Sequence, residues 1–191
     1  MKFNQAITLI DQANKKDPNI EEYNGVAYPK EYIYGVRMSE RLEVFLPNAP
    51  ESLRLAARCQ HICRWEIPRN AYPMDRVGYL TWRNDLKKLH AKKASEILSS
   101  VGYNQDLIDE VQMMLLKKQL KKNELTQAIE DVICLVFLEF YFDNFIGKHK
   151  EDKIIDIVQK TWVKMSEKGH DAALALSFSE IGLAMVQKAL A

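Results

Sequence analysis

The feature that most constrains the fold is a nearly uninterrupted apolar run, VICLVFLEFYF, at residues 132–142. Only Glu139 interrupts it, and the run is too short to span a bilayer. The helical pattern around it extends from Asn123 to about Ile146. A helix that is apolar on almost every side has to be surrounded by other helices. The sequence therefore predicts a buried central helix around residues 128–146.

The rest of the chain also has the spacing of helices. Apolar residues three and four positions apart predict helices at about 2–15, 30–45, 51–65, 79–100, 104–118 and 151–168. Ser177 and Glu180 have the spacing of a capping box before a last helix. No sustained alternation predicts a strand, and no repeat or low-complexity linker divides the chain. We expect an all-α, single-domain multi-helix bundle over residues 1–191.

Charge and cysteine content exclude several classes of protein. The 27 basic and 26 acidic residues give a net charge of +1, which argues against general binding to nucleic acid or to an anionic membrane. The three cysteines are odd in number and lie in apolar helical patterns, so a disulfide framework is not expected. A reducing compartment follows, and we predict a cytoplasmic protein. The amphipathic last helix leaves open whether the chain forms a homo-oligomer.

Arginine is confined to one part of the sequence. All eight arginines lie between residues 37 and 83, and no lysine occurs between Lys30 and Lys87. Guanidinium groups bind carboxylate or phosphate in a bidentate manner, so this segment is suited to holding anions. The anions are either internal acids in a surface network or a bound small anionic or phosphorylated ligand. The predicted ligand-binding residues are Arg37, Arg58, Arg64, Arg69 and Arg83.

Two histidines lie at helical spacing from basic residues of this segment. Arg54, Arg58 and His61 lie at i, i+4 and i+7, and Arg83, Lys87 and His90 repeat those offsets. We expect two helices that each present cations and one histidine on a single face. The aromatic residues of the same segment could stack on a nucleic-acid base, a weaker hypothesis that the near-neutral net charge disfavours.

The acids Glu130 and Asp131 stand at the start of the buried run. Desolvated carboxylates need hydrogen bonds, a cation or a metal ion, so we expect that at least one of them has such a partner. A structural acid and a metal ligand are both consistent with this position.

Four segments in order resemble the HD-domain superfamily of metal-dependent phosphohydrolases. They are YIYGVRMSERL, LRLAARCQHICRW, HAKKASEILSSVGY and QAIEDVICLVF. Most of the chain also resembles a family known only as a domain of unknown function, whose members carry QHxxRWxxPR, GYLxWR and EDxxCLVFLE segments. The HD resemblance implies that His61, His90 and Asp131 hold one divalent metal ion, Fe, Zn or Mn, which polarises phosphate and activates water.

The chain departs from the HD pattern at three positions. Tyr34 stands where the first metal-binding histidine is expected, Ile62 replaces the aspartate of the His-Asp pair, and Lys117 or Lys118 takes the place of a later histidine. Isoleucine cannot coordinate a metal ion. The chain therefore either keeps a reduced metal site or has lost the metal and kept a cationic pocket.

These observations support two hypotheses of function. The first is a divergent HD-like phosphohydrolase acting on a small phosphorylated molecule, in which Glu130 orients water and Lys117 grips phosphate as catalytic residues. The alternative is a non-catalytic helical domain for ligand sensing or partner binding, with an arginine-rich anion pocket. The sequence leaves open whether the chain is an enzyme.

Overall fold

The computed structural model describes every residue of the chain, Met1–Ala191. Its backbone divides into two compact units, Met1–Gln119 and Leu120–Ala191, so the single domain over residues 1–191 stays a prediction. Ten α-helices and one short β-hairpin confirm the all-α prediction. None of the helices is both long enough and apolar enough to cross a membrane.

The first unit is organised around a short helix of small and branched residues. Its elements are α1 Lys2–Asn14, β1 Ile20–Tyr23, β2 Val26–Pro29, α2 Lys30–Phe45, α3 Glu51–Arg58, α4 Arg76–Ser100 and α5 Gln105–Leu115. Helix α3 packs against α1, α2 and α5. Its side chains Leu53, Leu55, Ala56 and Ala57 are fully buried, and the two alanines let the neighbouring helices approach closely.

The β-hairpin corrects the prediction that the chain has no strand. Strands β1 and β2 pair antiparallel, with Tyr23 opposite Val26 across the two-residue turn Asn24-Gly25. Both turn residues have positive φ, 52° and 75°, as a type I′ hairpin turn requires. The strands are four residues long and largely exposed, so they carry no apolar alternation that a sequence pattern could detect.

Helix α3 ends seven residues earlier than the sequence predicts, and this change positions the candidate site. The chain leaves the helix at Arg58, and Cys63 takes a left-handed conformation with φ 53°. The buried Asn14 at the end of α1 accepts a hydrogen bond from the Cys63 backbone N–H at 3.0 Å. His61 therefore lies in a turn, so the predicted face shared by Arg54, Arg58 and His61 on one helix is wrong.

The second unit contains the helix that the apolar run predicts. Its elements are α6 Glu124–Val136, a π-helical segment Phe137–Tyr141, α7 Phe142–Ile146, α8 Glu151–Trp162, α9 Glu167–Leu174 and α10 Glu180–Leu190. Helix α6 packs against α9 and buries Ile129, Val132 and Leu135 at 1% exposure or less. A buried helix is thus confirmed for the first half of the predicted range 128–146. In the π-helical segment and α7 only Leu138 and Phe142 are buried.

Two boundaries in the second unit differ from the prediction for a physical reason. Helix α8 ends at Trp162, and Ser166 starts α9 by accepting a hydrogen bond from the Gly169 N–H at 3.0 Å. The last helix is capped in the same way by Ser179, not by Ser177. A serine hydroxyl at the N-cap satisfies a backbone donor that has no partner within the helix.

Candidate anion-binding site

Four segments of the first unit bring three polar side chains together with His61. Glu31 lies in the first turn of α2, His61 in the turn after α3, and Arg64 in the short 3₁₀ turn that follows Cys63. His90 projects from the middle of α4. With Tyr34 of α2 we call these residues the His61 cluster.

Glu31 anchors one side of the imidazole ring. Its backbone N–H donates to the carboxylate of Asp17 at 3.0 Å, and its own Oε2 lies 3.2 Å from Nδ1 of His61. Burial raises the pKa of Glu31, while the charges of Arg64 and Lys30 oppose that shift. The carboxylate is therefore a desolvated acceptor held in place by the start of α2.

The partners of His61 select one tautomer of its ring. Nη1 of Arg64 lies 2.9 Å from Nε2 of His61, and because a guanidinium group only donates, Nε2 is the acceptor. The proton is then on Nδ1, which faces Glu31. The Tyr34 ring stacks on the imidazole with centroids 3.9 Å apart, and 22% of the His61 side chain stays exposed.

His90 is the second, more deeply buried imidazole. Its Nδ1 donates to the carbonyl of Ile62 at 2.8 Å, and its ring centroid lies 5.9 Å from that of His61. Burial, together with the neighbouring His61, lowers the pKa of His90 to about 3. The pKa of His61 also lies well below its usual range, mainly because of burial. Both rings are therefore neutral at pH 7.

Four cationic side chains act on His61 besides the acid Glu31. After burial, the causes of its lowered pKa are the side chains of Arg64, Lys117, Arg83 and Lys30. These four side chains come from four different positions in the first unit, and the acid beside the ring is Glu31. The cluster is thus a partly exposed region of positive potential, which attracts anions.

The predicted arginines fall into two groups. Arg37 forms an ion pair with Glu21, and Arg58 holds the carboxylate of Asp11 in a bidentate pair with N–O distances of 2.7 and 2.8 Å. These two arginines have internal acids as partners. Arg64 and Arg83 act on the His61 cluster, where Nε of Arg64 also lies 3.9 Å from Oε1 of Glu31. Arg69 donates to the backbone carbonyl groups of Tyr72 and Asp75. The ligand-binding role of all five stays a prediction.

Asp131 has local partners in the second unit. Its Oδ1 accepts from the Ser166 backbone N–H at 2.8 Å and from the Gln127 amide at 3.0 Å, and its Oδ2 accepts from the Ser166 hydroxyl at 2.6 Å. The carboxylate thus fixes the start of α9. These hydrogen bonds supply the partners that a buried carboxylate needs. Glu130 is 3% exposed in α6, and its catalytic role stays a prediction.

The side chains in this arrangement do not fit a divalent metal ion. No group of three or more His, Cys, Asp and Glu side chains is placed to hold one. A metal ion at His61 would have to displace Glu31 from Nδ1 or the Arg64 cation from Nε2. The metal-binding role of His61, His90 and Asp131 is an untested prediction that this geometry does not favour.

Sequence reasoning missed Glu31 and the stacking role of Tyr34. A glutamate in the first turn of a helix is ordinarily explained by the helix dipole, and nothing in the pattern indicates that it faces a histidine thirty residues later. Tyr34 differed from the HD pattern, and the structure gives it a different role as the platform beneath the His61 ring.

The chain belongs to a protein family described as "Domain of unknown function (DUF4202)", whose model matches residues 4–186. No curated protein matches the chain, and no solved structure matches it.

Proposed function

We propose that this member of the family binds a small phosphorylated molecule through the His61 cluster and the four cations around it. The single observation that carries the proposal is the number of cations at a partly exposed histidine. Nη1 of Arg64 lies 2.9 Å from Nε2 of His61, and the His61 side chain is 22% exposed. Arg83, Lys117 and Lys30 also act on the ring. Four cations beside the one acid Glu31 favour an anionic ligand.

The chemistry of the side chains favours phosphate over other anions. Arg64 and Arg83 offer planar guanidinium groups that bind two phosphate oxygens at once, and Lys30 and Lys117 add compact charges. Arg83 makes its hydrogen bond with the Tyr79 hydroxyl at 3.4 Å and not with a carboxylate. Its charge is therefore not neutralised by that partner.

Hydrolysis of the bound ligand is a second candidate function, and the tautomer of His61 favours it. Glu31 holds the proton on Nδ1, so Nε2 carries the lone pair of a neutral ring. A phosphate that draws Arg64 to itself would uncover Nε2, which would take a proton from water as the water oxygen attacks phosphorus. The P–O bond to the alcohol then breaks, and the proton passes from Nε2 to the departing alkoxide. The alternative is a site that binds the ligand without reaction, as in a sensing domain.

Titration calorimetry at low ionic strength tests the binding proposal with inorganic phosphate and ribose 5-phosphate as probes. We expect Arg64→Gln and Arg83→Gln each to weaken binding by about tenfold or more, since a charge-assisted hydrogen bond contributes roughly 1.5–3 kcal/mol. Arg54→Gln is the matched control, because Arg54 is exposed and lies over the ring of Phe3, outside the cluster. Wild-type protein that binds neither probe would overturn the proposal.

A phosphate-release assay with the same proteins separates the two candidates. Release that persists in EDTA and is lost in His61→Gln supports a role for the His61 ring. Release that EDTA abolishes and Mn²⁺ restores supports the metal-dependent reaction that the HD resemblance implies. Binding without release supports the sensing domain.

A further inference from the structure

A series of arginine and aromatic side chains leads away from the His61 cluster to the surface. The guanidinium carbon of Arg64 lies 4.8 Å from the ring centroid of Trp82, and the Trp82 and Tyr79 rings are 5.9 Å apart. Arg69 lies 5.9 Å from both rings, and Arg83 lies 5.8 Å from Tyr79. We call these five residues the arginine–aromatic ladder.

The two aromatic rings of the ladder differ in what they offer a ligand. Trp82 is 8% exposed, and its Nε1–H donates to the carbonyl of Ile67 at 2.8 Å, so it belongs to the core. Tyr79 is 41% exposed. Planar groups in contact lie about 3.5–4 Å apart, so guanidinium groups at 5.8 and 5.9 Å do not cover its ring.

Exposed apolar side chains also occur at the start of α4 and in the loop before it. Met74, Val77 and Leu80 are exposed at 78%, 72% and 51%. The carboxylate of Asp75 caps the helix through the Gly78 N–H at 2.7 Å, so the acid of this region is already engaged.

Arg83 connects this surface with the anion site. Its charge is among those that act on His61, and its Nη1 lies 3.4 Å from the Tyr79 hydroxyl oxygen. One ligand can therefore place an anionic group near Arg64 and Arg83 while another part of it reaches the Tyr79 ring.

We infer that the phosphorylated ligand carries a planar heteroaromatic group that stacks on Tyr79, as the base of a nucleoside monophosphate would. The inference rests on the proposed function, because it uses the same anion site for the phosphate. Aromatic side chains stack on a base through its π-face, and neighbouring arginines strengthen that contact.

The test compares adenosine and uridine 5′-monophosphates with ribose 5-phosphate on the full chain by titration calorimetry. We expect the nucleotides to bind roughly tenfold more tightly, since a base stacked on an aromatic side chain contributes a factor of about 5 to 150. Tyr79→Phe keeps the ring but loses the hydroxyl bonded to Arg83, and it should preserve most of that difference. Tyr79→Leu should remove the difference, while its affinity for ribose 5-phosphate should equal that of Tyr79→Phe.

The outcomes separate this inference from the proposed function. Equal affinities for nucleotides and ribose 5-phosphate, or a nucleotide preference that survives in Tyr79→Leu, would overturn the stacking inference while the anion site stands. Failure of every phosphorylated probe to bind would overturn both. Because Tyr79 is largely exposed, circular dichroism and a thermal melt suffice to show that the variants are folded.

Discussion

Acid should destabilise the first unit through its two buried imidazoles. The pKa of His90 falls from 6.5 in the unfolded chain to about 3 in the folded protein. Between these values the unfolded state binds the proton more tightly, so stability is full above pH 6.5 and is lost as the pH falls towards 3. The pKa of His61 is lowered in the same direction.

The size of the effect follows from the shift of His90. At pH 5 its ring contributes a loss of about 2 kcal/mol relative to pH 7.5, because each pH unit below 6.5 costs roughly 1.4 kcal/mol. Protonation of Glu31 acts in the opposite sense, because burial raises its pKa and the folded state then favours the proton. Comparison with a His90 variant separates the two contributions.

Urea unfolding at pH 7.5 and pH 5 measures these differences. His90→Gln should lose about 2 kcal/mol less than wild type between the two values, although its stability at pH 7.5 is lower because of the lost packing. His149→Gln removes an exposed imidazole and is the matched control. Equal losses in wild type and His90→Gln would mean that burial of His90 in the folded state does not disfavour its protonation.

Two further predictions concern stability at other positions. Arg58→Met should lower the free energy of unfolding by about 3 kcal/mol, because it leaves the carboxylate of Asp11 without its bidentate partner. Urea unfolding measures this loss, and the double variant with Asp11→Leu should recover part of it. Ser166→Ala should lower the free energy of unfolding by about 1–2 kcal/mol, because it removes both the N-cap of α9 and the hydroxyl donor to Asp131. An unchanged thermal melt would contradict the capping role.

Helical periodicity predicted most of the fold. The buried helix α6 could be predicted because it leads into the apolar run 132–142, and α1, α2, α4 and α5 because of their apolar spacing. The hairpin at residues 20–29 could not be predicted from alternation, since its strands are short and largely exposed. The early end of α3 depends on Asn14, which lies 49 residues before the Cys63 that it binds.

The sequence predicted the types of residue in the candidate site but not their contacts with one another. Clustered arginines and two histidines indicated an anion site, and the charges around His61 are consistent with that hypothesis. Which arginines have internal acids as partners depends on tertiary contacts, as the Arg58–Asp11 pair shows. The pairing of Glu31 with His61 has the same origin, because it requires the turn after α3 to return to the start of α2.

Nitrogen-detected NMR of the histidine rings during titration with ribose 5-phosphate shows whether phosphate binds at the His61 cluster. We expect a His61 ring with its proton on Nδ1 and a shift of Nε2 as phosphate draws Arg64 away, while the Nε signal of Arg58 stays unchanged. A His61 ring whose signals do not move at saturating ribose 5-phosphate, or a response confined to residues outside the His61 cluster, would contradict binding there.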